Sequence, residues 1–156
     1  MNNNLEQLYI VYPVGKVVRA AGKVTIIIRE QFRPALRQLD KFTHVLVLWW
    51  ADQHDNASSR SQLQCNPPYA ASHLTGIFAC RAEYRPNPIA VTTCRLEAVD
   101  EEKGVLQITD IDAYDGTPVL DLKAYFPVCD RVRKAEIPNW LHDWPEWIPE
   151  EGLGLE

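Results

Sequence analysis

Most apolar residues of the chain occur in short runs, and these runs are rich in the β-branched and aromatic residues that favour strands. Early strands are predicted at residues 8–12, 14–18 and 23–29, with Gly22 marking the turn before the third. Residues 43–50 form a longer apolar run with little alternation, which predicts a central strand covered on both faces. Later strands are predicted at residues 74–80, 89–99, 105–113 and 119–126, and Asp115-Gly116 is a hairpin signal before the last of them.

Helix signals are few. Residues 32–39 are the best candidate, because Pro34 suits a first turn and Leu36 and Leu39 lie three residues apart. After residue 127 the strand pattern stops, and prolines between the tryptophans favour an irregular tail. About eight short strands with one small helix predict an all-β, mainly antiparallel fold, a single small barrel that is closed or nearly closed. We expect a barrel domain at residues 1–130 and a tail, residues 131–156, packed on the barrel or at a dimer interface.

Size and composition agree with one ordinary domain. The chain has 156 residues, of which 46% are hydrophobic and 24% are charged, and this excludes a disordered or collagen-like chain. The longest apolar run, residues 45–51, is far shorter than a membrane-spanning helix requires. The N-terminus lacks the basic and apolar segments of a secretory signal. We therefore expect a cytoplasmic protein without a membrane partner.

The cysteines and the charges bear on three kinds of site: disulfides, metal sites and nucleic-acid binding surfaces. The four cysteines form no Cys-x-x-Cys pair and lie near no histidine pair at zinc spacing, which predicts reduced thiols and no metal site. The net charge is −5, but residues 1–95 hold 11 basic and 6 acidic side chains, whereas residues 96–156 hold 5 and 15. An acidic chain is a poor general nucleic-acid binder, because phosphate contacts need surplus cations. The alternative is that basic residues of the first half form a local basic face.

Residues 78–89 are the first candidate for a ligand site. They link two apolar strands, and Pro86 and Pro88 stiffen the backbone that displays Arg81, Arg85 and Asn87. A stiff polar loop suits ligand binding because docking orders little additional structure. Either arginine offers a bidentate fork for a carboxylate or phosphate. The alternative is a rigid connector with surface arginines.

The turn at residues 115–118 is the second candidate. It would gather acceptor oxygens at one strand end, from Asp115, Thr117 and Asp121. The alternative is a plain turn, because Asp-Gly by itself indicates nothing more. The polar stretch 52–72 contains His54, and histidine is a residue type suited to acid–base chemistry, whereas His44 opens a buried strand. Glycine-rich nucleotide loops, nucleophile elbows and His-Glu-x-x-His motifs do not occur in the sequence, which gives no sign of a Rossmann cofactor site, an ATPase or a serine hydrolase.

Four segments carry a family resemblance when they are taken together and in order. They read Val-Tyr-Pro-Val-Gly at 11–15, Leu-Asp-Lys-Phe-Thr-His at 39–44, Arg-Pro-Asn-Pro-Ile at 85–89 and Asp-Gly-Thr-Pro-Val-Leu-Asp-Leu-Lys at 115–123. Over roughly residues 9–130 the chain resembles the TsaA-like (TrmO) family of β-barrel methyltransferases that use S-adenosylmethionine. The resemblance implies methylation of N6 of the threonylcarbamoyl-adenosine beside the tRNA anticodon. It also implies a homodimer with the cofactor near the subunit interface.

The resemblance assigns site residues as well. The matching cofactor positions are Gln53, His54, Arg81, Val91, Asp115, Gly116, Thr117 and Pro118. The N6–H of the substrate must lose its proton, so a base is useful, and the candidates are Asp115 and His54. Arg81 would hold the methionine carboxylate or the threonyl carboxylate of the substrate, and we expect Arg85 and Asn87 to contact the substrate.

The chain departs from the family pattern at several positions. The short connection at residues 19–23 reads Arg-Ala-Ala-Gly-Lys and does not contain the family's Pro-Arg-Gln-Pro-Gly segment, so one expected cofactor contact is missing. The family's Ala-Thr-Arg-Ser reads Ala-Cys-Arg-Ala at 79–82, and its Pro-Ile-Gly reads Pro-Ile-Ala at 88–90. Two alternatives stay open. The short connection favours a non-catalytic barrel that binds an adenosyl ligand, and the acidic second half favours a methyltransferase for a small metabolite.

Overall fold

Eight strands form in the part of the chain that the computed structural model describes, residues 7–150. They are β1 (Gly15–Ala20), β2 (Lys23–Ile28), β3 (His44–Trp50), β4 (Gln64–Cys65), β5 (Thr75–Gly76), β6 (Ile89–Asp100), β7 (Val105–Ile108) and β8 (Pro118–Ala124). Six of them close into an antiparallel barrel in the order β1-β2-β7-β6-β3-β8, and β4 pairs with β5 in a separate ladder. The predicted all-β, antiparallel barrel is confirmed.

Helical structure within residues 7–150 is limited to short pieces. The α-helices are α1 (Ala57–Arg60) and α2 (Pro127–Asp130), and the 3₁₀ turns are Glu30–Leu36, Leu39–Lys41, Asp52–His54, Pro68–Ala70, Ile77–Ala79 and Asn139–Leu141. The helix predicted at residues 32–39 is in the right place but is a 3₁₀ turn. Pro34 lies inside this turn and has no N–H to donate to a helical hydrogen bond. Gln38 then ends the helical conformation, because its φ is 71°.

The interior of the barrel is filled by side chains. Residues along each strand alternate between the two faces, and the inward ones are fully buried: Val17, Ile26, Val45, Val47, Leu106, Ile108 and Val119. A smaller cluster of Cys65, Ile77 and Cys80 lies outside the barrel, beneath the loops that connect β4 to β6. A small barrel filled in this way leaves no interior space for a ligand.

β3 is the central strand of the predicted pattern, since it pairs with β6 on one side and with β8 on the other. Its burial alternates more than the sequence suggests. Val45, Val47 and Trp49 are buried inside the barrel, whereas the residues between them are half-buried on the outer face. The lack of alternation in the sequence therefore reflects an outer surface that is also apolar.

Three predicted strands are wrong or too long. Residues 8–12 form no strand, because their side chains are more than half exposed and no strand within residues 7–150 pairs with them. The strand predicted at 74–80 is reduced to Thr75–Gly76, and Phe78 in the following 3₁₀ turn is 86% exposed. The strand predicted at 105–113 ends at Ile108, because the chain beyond it bends towards Arg19.

Asp115-Gly116 forms a turn but not the predicted hairpin. Gly116 has a φ of +83°, which glycine adopts without strain, but β7 and β8 are not neighbours in the barrel. The turn instead extends the pairing of β1 with β8. The Val17 N–H donates to the Thr117 carbonyl, and the Gly116 N–H donates to the Val17 carbonyl, both at 2.9 Å.

The tail packs on the chain's own body as far as it is described. Tyr69 stacks with Trp140 at a centroid distance of 6.5 Å and meets Trp144 edge-on at 4.9 Å. The predicted irregular tail is thus seen to residue 150, and its last six residues, 151–156, lie outside the described residues. Across residues 7–150 we find no helix that is long and apolar enough to cross a membrane.

Candidate functional site

The loops that the sequence singles out leave the barrel at one end. In the strand register, Trp50 at the end of β3 faces Ile89 at the start of β6. Trp49 faces Val119 near the start of β8. The loops that precede β6 and β8 therefore lie at the same end of the barrel as the end of β3.

We call this end of the barrel the loop end. It is formed by residues 51–60, by residues 81–88 (the arginine loop) and by residues 109–118. The expectation that residues 81–88 and 115–118 lie at the same end of the barrel is thereby confirmed. The first two segments are joined directly, since the Ala51 N–H donates to the Pro88 carbonyl at 2.8 Å.

Asp55 and Arg60 brace the segment after β3. The Asp55 carboxylate accepts a hydrogen bond from Arg60 Nε at 2.6 Å and another from Trp50 Nε1 at 3.0 Å. These bonds, that from Arg60 above all, hold the pKa of Asp55 below its usual value. Arg60 also donates to the Pro86 carbonyl at 3.0 Å. Arg60 therefore connects residues 51–60 to the arginine loop through hydrogen bonds.

Arg19, at the end of β1, holds the third segment. Its Nε donates to the Ala113 carbonyl at 2.8 Å, and its Nη2 donates to the Ile111 carbonyl and, at 3.2 Å, to Asp110 Oδ1. The backbone N–H of Arg19 donates to Asp115 Oδ1 at 2.8 Å. One residue thus fixes the backbone of residues 110–115 against β1. Sequence reasoning missed this role, because an arginine at a strand end carries no local signal for it.

Carboxylates from two loops meet at the loop end. Burial raises the pKa of Asp112, and the nearby carboxylates of Asp110 and Glu83 raise it further against an opposing effect of Arg19. Glu83 belongs to the arginine loop, so Asp112, in the loop that precedes β8, lies near the loop that precedes β6. A carboxyl with a raised pKa is suited to proton transfer. Asp112 was not among the predicted site residues, and its sequence signal was only the alternation Asp-Ile-Asp.

Three residues of the predicted cofactor turn, residues 115–118, already bond, pack or pair within the fold. Asp115 accepts the Arg19 N–H, Thr117 is only 3% exposed, and Pro118 begins β8 opposite Lys16. Gly116 is the open position of the turn, since a Cβ built on it would meet no atom within 4 Å. A ligand can therefore approach the turn closely at Gly116.

Gln53 and His54 lie beside the arginine loop, as a shared site requires. Both belong to the 3₁₀ turn that follows β3. Gln53 is exposed, and His54 is half-buried, with its ring 6.1 Å from the ring of Tyr84. Tyr84 lies between the two arginines of the arginine loop, so the structure brings these two predicted positions next to it.

The two arginines of the arginine loop have different surroundings. Arg85 turns inward, where its Nη2 donates to the carbonyls of Ile77 at 2.7 Å and Cys80 at 3.0 Å. Its buried Nε finds no acceptor among the described residues. Arg81 is exposed, and no hydrogen bond or ion pair within residues 7–150 engages its guanidinium. Arg85 therefore clamps its own loop, whereas the Arg81 guanidinium has no partner within residues 7–150. Asn87, predicted to contact the substrate, is exposed on the same loop.

Val91 lies on the outer wall of the barrel and not on a loop. It faces Leu48 across the β3–β6 pairing and is 40% exposed. Ile89, two residues nearer the loop end on the same strand, is equally exposed. This predicted cofactor position thus belongs to an apolar surface beside the loop end.

The two best-defined cavities lie away from the predicted cofactor residues. One of about 250 Å³ lies at the opposite end of the barrel, between Glu30–Leu36 and β8. The other is an open groove between residues 68–73 and 139–142. Neither is lined by Gln53, Arg81 or the turn at 115–118. Within residues 7–150, no group of three His, Cys, Asp or Glu side chains is placed to hold a metal ion.

The interior of this barrel is filled and its polar loops gather at one end, so a ligand can be held only outside the barrel. Comparison with known families identifies the family of this chain. The model of the tRNA-methyltransferase O N-terminal domain matches residues 11–131 of this chain. The chain belongs to this family, which confirms the resemblance carried by its four sequence segments.

Relatives of known description agree with this assignment. An S-adenosyl-L-methionine-binding protein of Archaeoglobus fulgidus is 34% identical over 122 residues, which are 78% of this chain and 81% of that protein. The tRNA (adenine(37)-N6)-methyltransferase of Mus musculus is 32% identical over 80% of this chain but 28% of its own length. The crystal structure of TrmO from Pseudomonas aeruginosa superposes with a TM-score of 0.66 at 29% identity, covering 83% of this chain and 61% of that one.

The chain spans less than two thirds of several relatives, for example 31% of a second, probable S-adenosyl-L-methionine-binding protein of Archaeoglobus fulgidus. Another relative, in Pseudomonas aeruginosa, is described as a putative S-adenosylmethionine-dependent methyltransferase and is 38% identical over 123 residues. These relatives are described as binding S-adenosylmethionine or as methyltransferases that depend on it. The enzyme class and the cofactor predicted from the sequence agree with these descriptions.

Proposed function

We propose that this chain transfers a methyl group from S-adenosylmethionine to N6 of adenosine 37 in tRNA, and that its specific substrate is the threonylcarbamoyl-modified adenosine. The observation that carries the proposal is the unengaged Arg81 guanidinium at the loop end. Nearby Arg19, Arg60 and Arg85 are all committed to bonds within the fold. Among the arginines described at the loop end, Arg81 is therefore the one left to bind a ligand carboxylate.

The loop end fits the chemical groups of the methyl donor. S-adenosylmethionine has a carboxylate, an ammonium group, a sulfonium centre and an adenine. Arg81 offers a fork for the carboxylate, while Glu83 and Asp112 supply negative charge for the cationic groups. The open space at Gly116 lets a bound group reach the turn. When bound, the donor supplies an electrophilic methyl group, and the protein's main task is to position the acceptor nitrogen in line with it.

Proton removal falls to a side chain of the loop end. Of the two bases that the sequence predicts, Asp115 already accepts the Arg19 N–H through Oδ1, and His54 is half-buried beside Tyr84. We add Asp112, because its raised pKa favours proton uptake from N6–H. Arg85 acts indirectly in this scheme by shaping the arginine loop, whereas Arg81 and Asn87 contact the substrate or the donor.

A second copy of the chain completes the site in our proposal. The barrel interior is filled, so the donor lies on outer loops, where one chain offers few walls. Beside the loop end, the outer wall carries partly exposed Leu48, Ile89 and Val91, an apolar surface that suits a partner. We therefore propose a homodimer whose pockets lie at or beside the interface. Within it, residues 1–130 form the catalytic barrel and residues 131–156 form a tail on its surface.

Nucleoside analysis of a deletion strain tests the proposal. The strain should lose one N6-methylated adenosine from its tRNA. The wild-type gene, whose product we propose to act in the cytoplasm, should restore this methylated nucleoside. Genes that carry Arg81→Ala or Asp112→Asn should not restore it. Arg29→Ala, which removes an exposed arginine away from the loop end, is the control and should restore it fully. An unchanged nucleoside profile in the deletion strain would contradict the tRNA substrate.

Two observations favour a second candidate, an adenosyl-binding barrel that does not act on tRNA. β1 and β2 are joined by the tight turn Ala21-Gly22, so no loop extends from there towards a ligand. The carboxylates of Asp110, Asp112 and Glu83 would repel tRNA phosphates. Under this candidate the chain binds the adenosyl ligand, or methylates a small metabolite, and the deletion strain keeps its full set of methylated nucleosides.

A further inference from the structure

Cys65 and Cys80 form a contact pair outside the barrel. Their Sγ atoms lie 3.5 Å apart, and both thiols are free and buried, with relative exposures of 8% and 6%. Cys65 is held by the β4–β5 ladder, and Cys80 follows the 3₁₀ turn Ile77–Ala79. A disulfide bond is about 2.05 Å long, so the two sulfurs would have to approach each other by about 1.5 Å to bond.

We propose that Cys65 and Cys80 are a site of reversible oxidative modification, at which a peroxide converts the two thiols into an intramolecular disulfide. One thiolate attacks a peroxide oxygen, which gives a sulfenic acid and hydroxide. The second thiolate attacks the sulfenic sulfur and displaces another hydroxide. Two thiols and one hydrogen peroxide thus give one disulfide and two waters, and the sulfurs lose the two electrons that the peroxide gains.

The surroundings of the pair decide what the disulfide would do. The Cys80 carbonyl accepts a hydrogen bond from Arg85 at 3.0 Å, and Arg81 follows Cys80 directly. Ala82 and Tyr84 of the arginine loop pack on the same cluster. A bond to Cys65 therefore fastens the base of the arginine loop to the β4–β5 ladder. It also closes residues 65–80 into a covalent loop, which restricts the unfolded chain.

The other two cysteines do not compete for this bond in the folded chain. Cys94 is on β6 and buried in the barrel core, where burial raises the pKa of its thiol to about 12. Cys129 is exposed in α2 and is a source of bonds between molecules. Burial also raises the pKa of the Cys80 thiol, so reaction through Cys80 becomes faster as the pH rises.

Peptide mapping tests the proposal directly. Trypsin cleaves after Arg60 and Arg81 and finds no site between them, so peptide 61–81 carries both cysteines, while Cys94 and Cys129 fall on separate peptides. The experiment uses full-length chain with Cys129→Ser, treated with hydrogen peroxide, alkylated under denaturing conditions and digested. We expect peptide 61–81 to lose two hydrogens and to resist alkylation until dithiothreitol is added. The Cys94 peptide should be alkylated throughout.

The same sample shows whether the bond acts on the fold. Oxidation should raise the midpoint of thermal unfolding by about 5–10 °C, and dithiothreitol should reverse the shift. The Cys65→Ser and Cys80→Ser variants should show no such shift. Peptide 61–81 that still takes up two alkyl groups after peroxide, or that carries sulfinic acid in place of a disulfide, would overturn the proposal. This result needs no substitution of Cys65 or Cys80, because it is read on the chain with both of these cysteines present.

Discussion

Replacing Arg19 with alanine should destabilise the protein more than its position at the surface suggests. The side chain is 37% exposed, but it donates to the backbone carbonyls of Ile111 and Ala113, two residues that are almost fully buried. Each such bond contributes about 1 kcal/mol, and an acceptor left without a partner costs about 1–3 kcal/mol. The exposed ion pair with Asp110 adds about 0–1 kcal/mol. We therefore expect Arg19→Ala to lower the free energy of unfolding by about 2–5 kcal/mol.

Urea and thermal unfolding measure this loss. For a chain of this size, 1 kcal/mol corresponds to about 2–4 °C, so the thermal midpoint should fall by about 4–20 °C. Arg29→Ala is the matched control, since it removes an exposed arginine whose side chain has no hydrogen bond within residues 7–150, and it should change stability by less than about 0.5 kcal/mol. Arg19→Lys keeps the charge without the planar fork and should lie between the two. If Arg19→Ala were as stable as Arg29→Ala, our description of Arg19 as the brace of residues 110–115 would be wrong.

Three further predictions concern S-adenosylmethionine binding, the carboxyl of Asp112 and the dimer. Arg81→Ala should weaken S-adenosylmethionine binding about ten- to a hundred-fold in calorimetry, because a charge-assisted hydrogen bond contributes about 1.5–3 kcal/mol; equal affinity for both proteins would count against Arg81 as a ligand contact. Asp112 has a raised pKa in the folded chain, so its ionisation costs stability as the pH rises through that pKa. Asp112→Asn should thus be at least as stable as wild type at neutral pH and lose any advantage in strong acid, and a less stable variant at pH 7 would contradict this. In sedimentation with cofactor, wild type should be a dimer at micromolar concentration and Val91→Arg should be weakened towards the monomer, whereas a wild-type monomer would contradict the shared pocket.

The sequence was most informative where local pattern and long-range packing agree. β3 and β6 are long, apolar and rich in β-branched residues, so their existence and the antiparallel barrel followed from pattern alone. Residues 8–12 have the same composition but no partner strand among the described residues, and composition cannot show whether a partner exists. Asp115-Gly116 predicted a turn correctly, because φ is a local property. It could not predict that β1 and not β7 would lie beside β8.

The site was predictable at the level of loops but not of individual roles. The prolines and motifs of the arginine loop identified a stiff polar segment, and the register placed it where we expected. Sequence could not distinguish Arg81 from Arg85, because only the folded chain shows that Arg85 reaches the carbonyls of Ile77 and Cys80. Arg19 was missed for a related reason, since its acceptors lie more than ninety residues away in the chain.

Methyl transfer in vitro tests the central claim most directly. Purified chain is incubated with methyl-labelled S-adenosylmethionine and with tRNA that either carries or lacks the threonylcarbamoyl group at adenosine 37, and the nucleosides are then separated. We predict label on N6 of the modified adenosine, little label on the unmodified tRNA, and a loss of labelling with Arg81→Ala but not with Arg29→Ala. A chain that binds S-adenosylmethionine in calorimetry but labels neither tRNA would contradict the proposed function and favour the adenosyl-binding barrel.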